Sequence, residues 1–201
     1  MLKKNILEGM LSGLMISIGG SVFLACDNRY IGAVLFTVAL LTICMFGFSL
    51  YTGKIGFVVN DTSKTNVQAV FSGLLGNFIA TLISGLLIWA ALPNLHEAAA
   101  KACETRLMQS PLQTLLRSVF CGVLMYVAVW IYREKKSVVG ILFCVPTFIL
   151  AGFEHSIADM FYFSVAGFFS FSSLLFIILV VLGNTLGGMI IPLVQKLVNK
   201  K

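Results

Sequence analysis

Charge is scarce in this chain. Only 11% of its 201 residues are Asp, Glu, Lys or Arg, where an ordinary soluble domain has about 25%. With 59% hydrophobic residues and a mean hydropathy of +0.99, a chain this size has too much apolar surface to hide from water. Most of it must be solvated by lipid. Cysteine is present without pattern: Cys26, Cys44, Cys103, Cys121 and Cys144 form neither CxxC nor a zinc spacing. Four of the five lie in or at the ends of apolar runs, where Cys behaves as a small hydrophobe. No disulfide framework, metal or cofactor is expected. Histidine is limited to His96 and His155. Neither a cysteine nor a second histidine stands where it would give His155 a catalytic partner, so a membrane-embedded enzyme is not expected.

What the chain does have is long apolar stretches. A membrane helix needs about 20 apolar residues to cross a hydrocarbon core of about 30 Å. Six candidates lie near residues 5–26, 31–59, 67–92, 112–132, 137–169 and 171–196. The second and fifth are too long and too interrupted to be simple spans. Little remains for a soluble domain, so 1–201 reads as one transmembrane domain. The first stretch follows Lys3 and Lys4 as a signal peptide would. Its apolar run is long, however, and Gly19-Gly20-Ser21 leads into more membrane sequence, so a retained helix is expected.

The formal charge of +6 reads as topology and not as nucleic-acid binding. Six spans place both termini on one side. That side would carry Lys3, Lys4, Lys54, Lys64, Arg133, Lys135, Lys136, Lys196, Lys200 and Lys201, against Arg29, Lys101, Arg106 and Arg117 on the other. This bias puts both termini in the cytoplasm of a cell inner (plasma) membrane protein.

The chain divides into halves, 1–92 and 112–196, joined by a polar connector at 93–111. Each half has a long apolar run interrupted by polar residues and glycine, Ser49 to Gly56 in one and Gly152 to Asp159 in the other. Each is followed by a Gly-Asn pair, Gly76-Asn77 and Gly183-Asn184. Non-helical backbone at membrane depth is tolerated only where protein or a water-filled cavity satisfies its polar groups. Three spans per half, each half broken once, gives an inverted repeat with the transport path between halves.

His155 stands out as an ionisable side chain inside a span, a functional candidate by default, and as the side chain that titrates nearest physiological pH. The plainer alternative is a structural histidine bonded to a loop carbonyl. Glu154 and Asp159 flank it and read as structural, since a bare carboxylate does not help an anion path. The Thr52 hydroxyl can donate to an anion or to the His155 ring, or bond the loop backbone. Asn77 reads as a pin between a broken helix and its neighbour, and Asn184 as either a pin or a path-lining donor. Phe36 and Phe148, each some residues before its half's interruption, are candidates for hydrophobic constrictions.

The run Gly152-Phe153-Glu154-His155-Ser156-Ile157-Ala158-Asp159-Met160-Phe161 resembles the signature of the formate/nitrite transporter family, which usually has Asn in place of Asp159. Leu50-Tyr51-Thr52-Gly53 resembles that family's first loop, Gly183-Asn184-Thr185-Leu186-Gly187-Gly188 its final-helix motif, and Cys121 through Trp130 its fourth helix. The resemblance implies an aquaporin-like all-α fold of six transmembrane helices, with broken second and fifth helices and one pore per subunit of a homopentamer in membrane lipid. Its cargo would be a small monovalent weak-acid anion: formate first, with nitrite or hydrosulfide as alternatives. The family's central histidine falls on His155, its loop threonine on Thr52, its final-helix asparagine on Asn184 and its constriction phenylalanines on Phe36 and Phe148. Its connector lysine, which draws anions in, corresponds by spacing from Arg117 to Arg106, with Lys101 as second candidate. An Arg keeps the charge with a different fork and hydration. Ser49 stands where the family commonly has Glu. An aquaporin-type neutral-solute channel is a weaker alternative, because the chain contains no Asn-Pro-Ala motif. The expected mechanism is passage of an anion past His155, which donates a hydrogen bond or a proton.

Overall fold

The computed structural model describes residues 2–199, and every regular element in that range is helical. Lys200 and Lys201, counted above among the cytoplasmic charges, lie outside the described residues. The chain runs through α1 (Leu2–Ala25), α2 (Arg29–Leu35), α3 (Thr37–Phe46), α4 (Tyr51–Lys54) with a following 3-10 segment (Ile55–Val59), and α5 (Lys64–Ala91). It continues through α6 (Pro93–Leu107), α7 (Pro111–Lys135), α8 (Val139–Ala151), α9 (Ser156–Val165) and α10 (Phe171–Val198).

Local chemistry sets the helix starts. The Asn28 side chain accepts from the Tyr30 and Ile31 amides at the head of α2, Ser63 caps α5 and Ser170 caps α10. Ser110 and Gln113 form a reciprocal capping box at α7 with Pro111 in the first turn. Each device satisfies amide groups that a helix start leaves unpaired. The ends of α3 and α8 are set by Gly47 and Gly152, both at φ 73°, a left-handed conformation that only glycine adopts without strain.

Among the described residues, five helical stretches are long and apolar enough to cross a membrane, with α2 and α3 counted as one continuous span at 29–46. A sixth follows if α8 and α9, bent by 56° at residues 152–155, count as one. The apolar run expected at 31–59 is therefore divided: its first part is span-length, and α4 with the 3-10 segment is a separate short piece. The connector differs more from expectation. It is not merely a polar joint but the amphipathic helix α6, with Leu95, Ala99 and Cys103 buried at i, i+4, i+8 spacing. His96 Nδ1 donates to the Val165 carbonyl at 2.9 Å, and its ring stacks on Trp89 at 5.1 Å.

Helix α9 is buried along its whole length. It reaches the centre because the long helices around it pair tightly and leave room. α1 packs along α5 and α7 along α10 through small residues. A Cβ on Gly76 would strike the Ile6 carbonyl of α1, and one on Gly187 the Val119 carbonyl of α7. Such backbone-to-backbone approach is how membrane helices associate without a hydrophobic drive.

Gly76→Val and Gly187→Val should each destabilise the fold by about 3 kcal/mol or more, the upper end of overpacking, since the obstacle is backbone and not a movable side chain. Thermal unfolding of the purified protein in detergent measures this. Leu75→Val, at a position half exposed on the outer surface, should leave the midpoint within error.

Candidate functional site

The site begins with two places where the backbone leaves helical geometry inside the bundle, residues 47–50 and 152–155. At the second, Asn184 of α10 accepts from the Ser156 amide at 2.9 Å and donates to the carbonyls of Glu154 and Ser118, both at 2.9 Å. At the first, Asn77 of α5 accepts from the Tyr51 amide at 3.0 Å and donates to the carbonyls of Ser49 at 2.9 Å and Gly9 at 2.8 Å. Both amides are fully buried, and each ties an interruption to a neighbouring helix. Both N–H groups of Asn184 are used this way.

The interruption at 152–155 ends on His155, the N-cap of α9. Its Nδ1 accepts from the Ala158 amide at 3.1 Å. A ring nitrogen that accepts carries no proton, so the neutral ring's proton sits on Nε2. Nε2 lies 2.8 Å from Thr52 Oγ1, which makes the imidazole the donor and the hydroxyl oxygen the acceptor. Of the roles the sequence left open for Thr52, donation to an anion, to the ring or to loop backbone, this polarity rules out donation to the ring. In this arrangement the hydroxyl hydrogen of Thr52 is left to donate elsewhere. Thr52 lies in the first turn of α4 and not in a loop, and both residues are buried. The Phe148 ring stacks on the imidazole at 5.5 Å, and Phe36 meets Phe148 edge-on at 6.3 Å.

Two cavities approach this pair. One, about 720 Å³, is lined by Phe36, Phe148, His155, Glu154 and Asp159, and by four basic residues, Arg29, Lys101, Arg106 and Arg117. The other, about 340 Å³, is lined by Leu40, Leu50, Val129, Lys54 and Arg133. Phe36 on the first and Leu40 on the second are one helical turn apart. Leu40 and Leu50 are buried. The partition between the cavities is thus apolar, with the hydroxyl of Thr52 and the imidazole of His155 at its middle.

Of the basic residues, two are committed. Arg29 Nη2 donates to the Ile149 and Leu150 carbonyls at 3.1 and 3.3 Å, at the C-terminal end of α8. Arg106 faces acids: its Nε donates to Asp159 Oδ1 at 2.9 Å and lies 3.0 Å from Glu154 Oε2. Burial opposes the charge on Arg106, and the facing acids more than offset it, holding its pKa above the ordinary arginine value. Lys101 and Arg117 are exposed at the cavity rim.

The sequence profile of the formate/nitrite transporter family matches residues 1–197. The chain belongs to that family. It is 25% identical over 187 residues to the uncharacterized transporter YwcJ of Bacillus subtilis, covering 81% of this chain and 73% of that one. It is 23% identical over 149 residues to the formate channel FocA of Haemophilus influenzae, covering 67% of this chain and 52% of FocA. Its fold superposes on a pentameric formate channel with formate bound at a TM-score of 0.81 and 22% identity, over 100% of this chain and 98% of the other. It also superposes on an FNT family ion channel at 0.79 and 22% identity, over 100% and 90%.

Within this formate/nitrite transporter fold, the residues singled out from sequence converge. His155, Thr52, Phe36 and Phe148 meet at the partition, and Asn184 holds the backbone beneath it. Arg106 and Lys101 line the cavity, Arg106 against acids and Lys101 in the open. The sequence readings missed the pairing of Arg106 with Glu154 and Asp159. No local pattern marks it, as Arg106 and Asp159 are 53 residues apart. They also missed Leu40, Leu50 and Val129; the position of Leu50, two residues before Thr52, was the available signal.

Asn184→Leu leaves the Ser156 amide and the Glu154 and Ser118 carbonyls without this partner. It should cost about 3 kcal/mol or more, at roughly 1–3 kcal/mol per buried group left unpaired. Asn184→Asp keeps the acceptor but loses both donors, so its unfolding midpoint in detergent should be lowered as well. A wild-type midpoint for Asn184→Leu would mean that the interruption holds without the amide.

Proposed function

We propose that this protein conducts small monovalent weak-acid anions, formate foremost, past the His155–Thr52 pair. The observation that carries this reading is the pair itself: an imidazole N–H and a hydroxyl aligned at 2.8 Å in an apolar partition between two cavities with basic residues. A bare anion in a low-dielectric slot costs several kcal/mol even after relaxation. Rim cations raise its local concentration, the Phe36–Phe148 and Leu40–Leu50 groups exclude bulk water, and the Thr52 O–H, whose oxygen accepts from the His155 N–H, is the free donor at the middle. An anion that takes a proton from water in the cavity crosses the partition as the neutral acid, which links its flux to protons, while the neutral imidazole and the hydroxyl keep theirs. The cargo assignment is supported by the formate channel among the relatives and by the formate-bound structural neighbour.

The same reading makes 1–92 and 112–196 inverted halves of three spans each, with broken second and fifth spans. It is supported by the matching Asn77 and Asn184 bonds and the matching left-handed Gly47 and Gly152. We take the assembly to be a homopentamer in membrane lipid, on the strength of the pentameric neighbour. Both termini then lie in the cytoplasm and the 720 Å³ cavity faces away from it, with the domain undivided from end to end.

Formate uptake into proteoliposomes, against empty liposomes, should be protein-dependent and rise as external pH falls from 8 to 5. Thr52→Val should cut it about tenfold, the worth of one hydrogen bond to a charged group, and His155→Ala should abolish it in particles that elute as wild-type oligomers. Absence of formate flux at every pH, with nitrite or hydrosulfide flux instead, would move the substrate within the family.

A further inference from the structure

We propose that Glu154 and Asp159 hold one proton between them, which makes the cluster they form with Arg106 electrically neutral on the wall of the larger cavity. The cluster contains two acids and one base. Arg106 Nε stands 2.9 Å from Asp159 Oδ1 and 3.0 Å from Glu154 Oε2, so both carboxyl groups converge on one nitrogen. Arg106 Nη1 is occupied elsewhere, donating to the Ala102 carbonyl at 3.1 Å. Gln109 Nε2 donates to Glu154 Oε1 at 2.6 Å but brings no charge. Asp159 and Glu154 are only 1% and 3% exposed. Among the described residues, Glu154 Oε2 and Asp159 Oδ2 accept no hydrogen bond. With both acids ionised, the cluster would carry a buried net charge of minus one and two oxygens without donors. One proton removes the excess charge and turns one of these acceptors into a donor. Two carboxyl groups this close do not readily ionise together and titrate as a pair.

Among the described residues, the surroundings supply no second buried cation. The titratable neighbours on α6, α7 and α9 are Cys103, Cys121 and Tyr162, all neutral groups at physiological pH; the Tyr162 ring lies 5.1 Å from the Arg106 guanidinium. Both nitrogens of His155 are engaged by Ala158 and Thr52. Of the ionisable residues on α1, α4 and α10, Lys54 lines the other cavity, Lys196 donates to the Val59 carbonyl and Glu8 pairs with Lys4. Arg29, Lys101 and Arg117 line the same cavity but are exposed. The consequence for function, which rests on the transport reading above, is a charge gate: loss of the shared proton puts a negative charge on the wall an anion must pass.

Infrared spectroscopy of the whole protein in lipid vesicles tests the proton directly. At pH 7 the wild type should show the C=O stretch of a protonated carboxyl, lost on raising the pH to 10. The other acids cannot supply it: Asp27, Asp61, Glu97, Glu104 and Glu134 are exposed, and Glu8 pairs with Lys4. Asp159→Asn and Glu154→Gln each leave one acid to one base, and both should lack the band. No band in the wild type at pH 7 overturns the proposal whatever the variants do, as does a band that survives in both folded variants. In the flux assay, the loss of uptake between pH 7 and 9 should be roughly tenfold larger in the wild type than in Asp159→Asn, the effect of one unit charge a few ångströms from the path on top of the proton-linked decline that both share. Vesicles that show the band but no anion flux would refute the transport reading and leave the shared proton standing.

Discussion

Backbone that stops being helical inside a bilayer must find its hydrogen bonds in protein, since lipid offers none. Here that need is met by two carboxamides. Asn77 and Asn184 each bond an amide and carbonyls around an interruption, and each is fully buried. The rest of the site hangs from them. Asn184 holds the Glu154 carbonyl and the Ser156 amide on either side of His155, which fixes where α9 begins and hence where the imidazole points. Asn77 does the same for Ser49 and Tyr51, one residue ahead of Thr52. The 2.8 Å contact between Thr52 and His155, 103 residues apart in sequence, is the meeting of two separately held backbone ends.

This arrangement requires α9 to be enclosed, and enclosure depends on small residues. α9 is buried on every face, unlike the long helices, whose outer faces carry exposed Leu, Ile, Val and Phe. Gly9, Gly13 and Gly76 let α1 and α5 touch backbone to backbone, and Gly122, Gly183 and Gly187 do the same for α7 and α10. A larger side chain at these positions would push the helix pairs apart and widen the space in which the short helices are wedged.

Much of this was legible in the sequence because the strongest signals are local. Scarce charge and apolar runs of about 20 residues give the spans; glycine and polar residues inside two of those runs give the interruptions. The tract from Gly152 to Phe161 carries the family resemblance by itself. What was not legible is long-range. The i, i+4, i+8 burial of Leu95, Ala99 and Cys103 lies under a polar surface, so the connector read as a joint and not as a helix. Nothing near Arg106 announces that it will meet Glu154 and Asp159, and the direction of the Thr52–His155 hydrogen bond follows only from the Ala158 amide occupying Nδ1. Those are facts of packing, available once the elements are assembled.

The four basic residues of the larger cavity divide by what they touch, and the division suits conduction. A cation that met an anion in a buried, dry position would bind it strongly, because charge interactions grow as the dielectric falls, and a tightly bound anion does not move on. Two of the arginines are already engaged, the exposed Arg29 with the carbonyl end of α8 and the partly buried Arg106 with the acids. The exposed Lys101 and Arg117 act through water, where attraction extends about a Debye length but holds weakly. In the transport reading proposed above, positive charge gathers anions at the rim and is compensated deeper in. At the partition the donor is neutral: the Thr52 O–H, backed by the His155 N–H. Conduction needs binding favourable enough for entry and weak enough for exit, and a path that runs from screened cations to a neutral donor satisfies both demands.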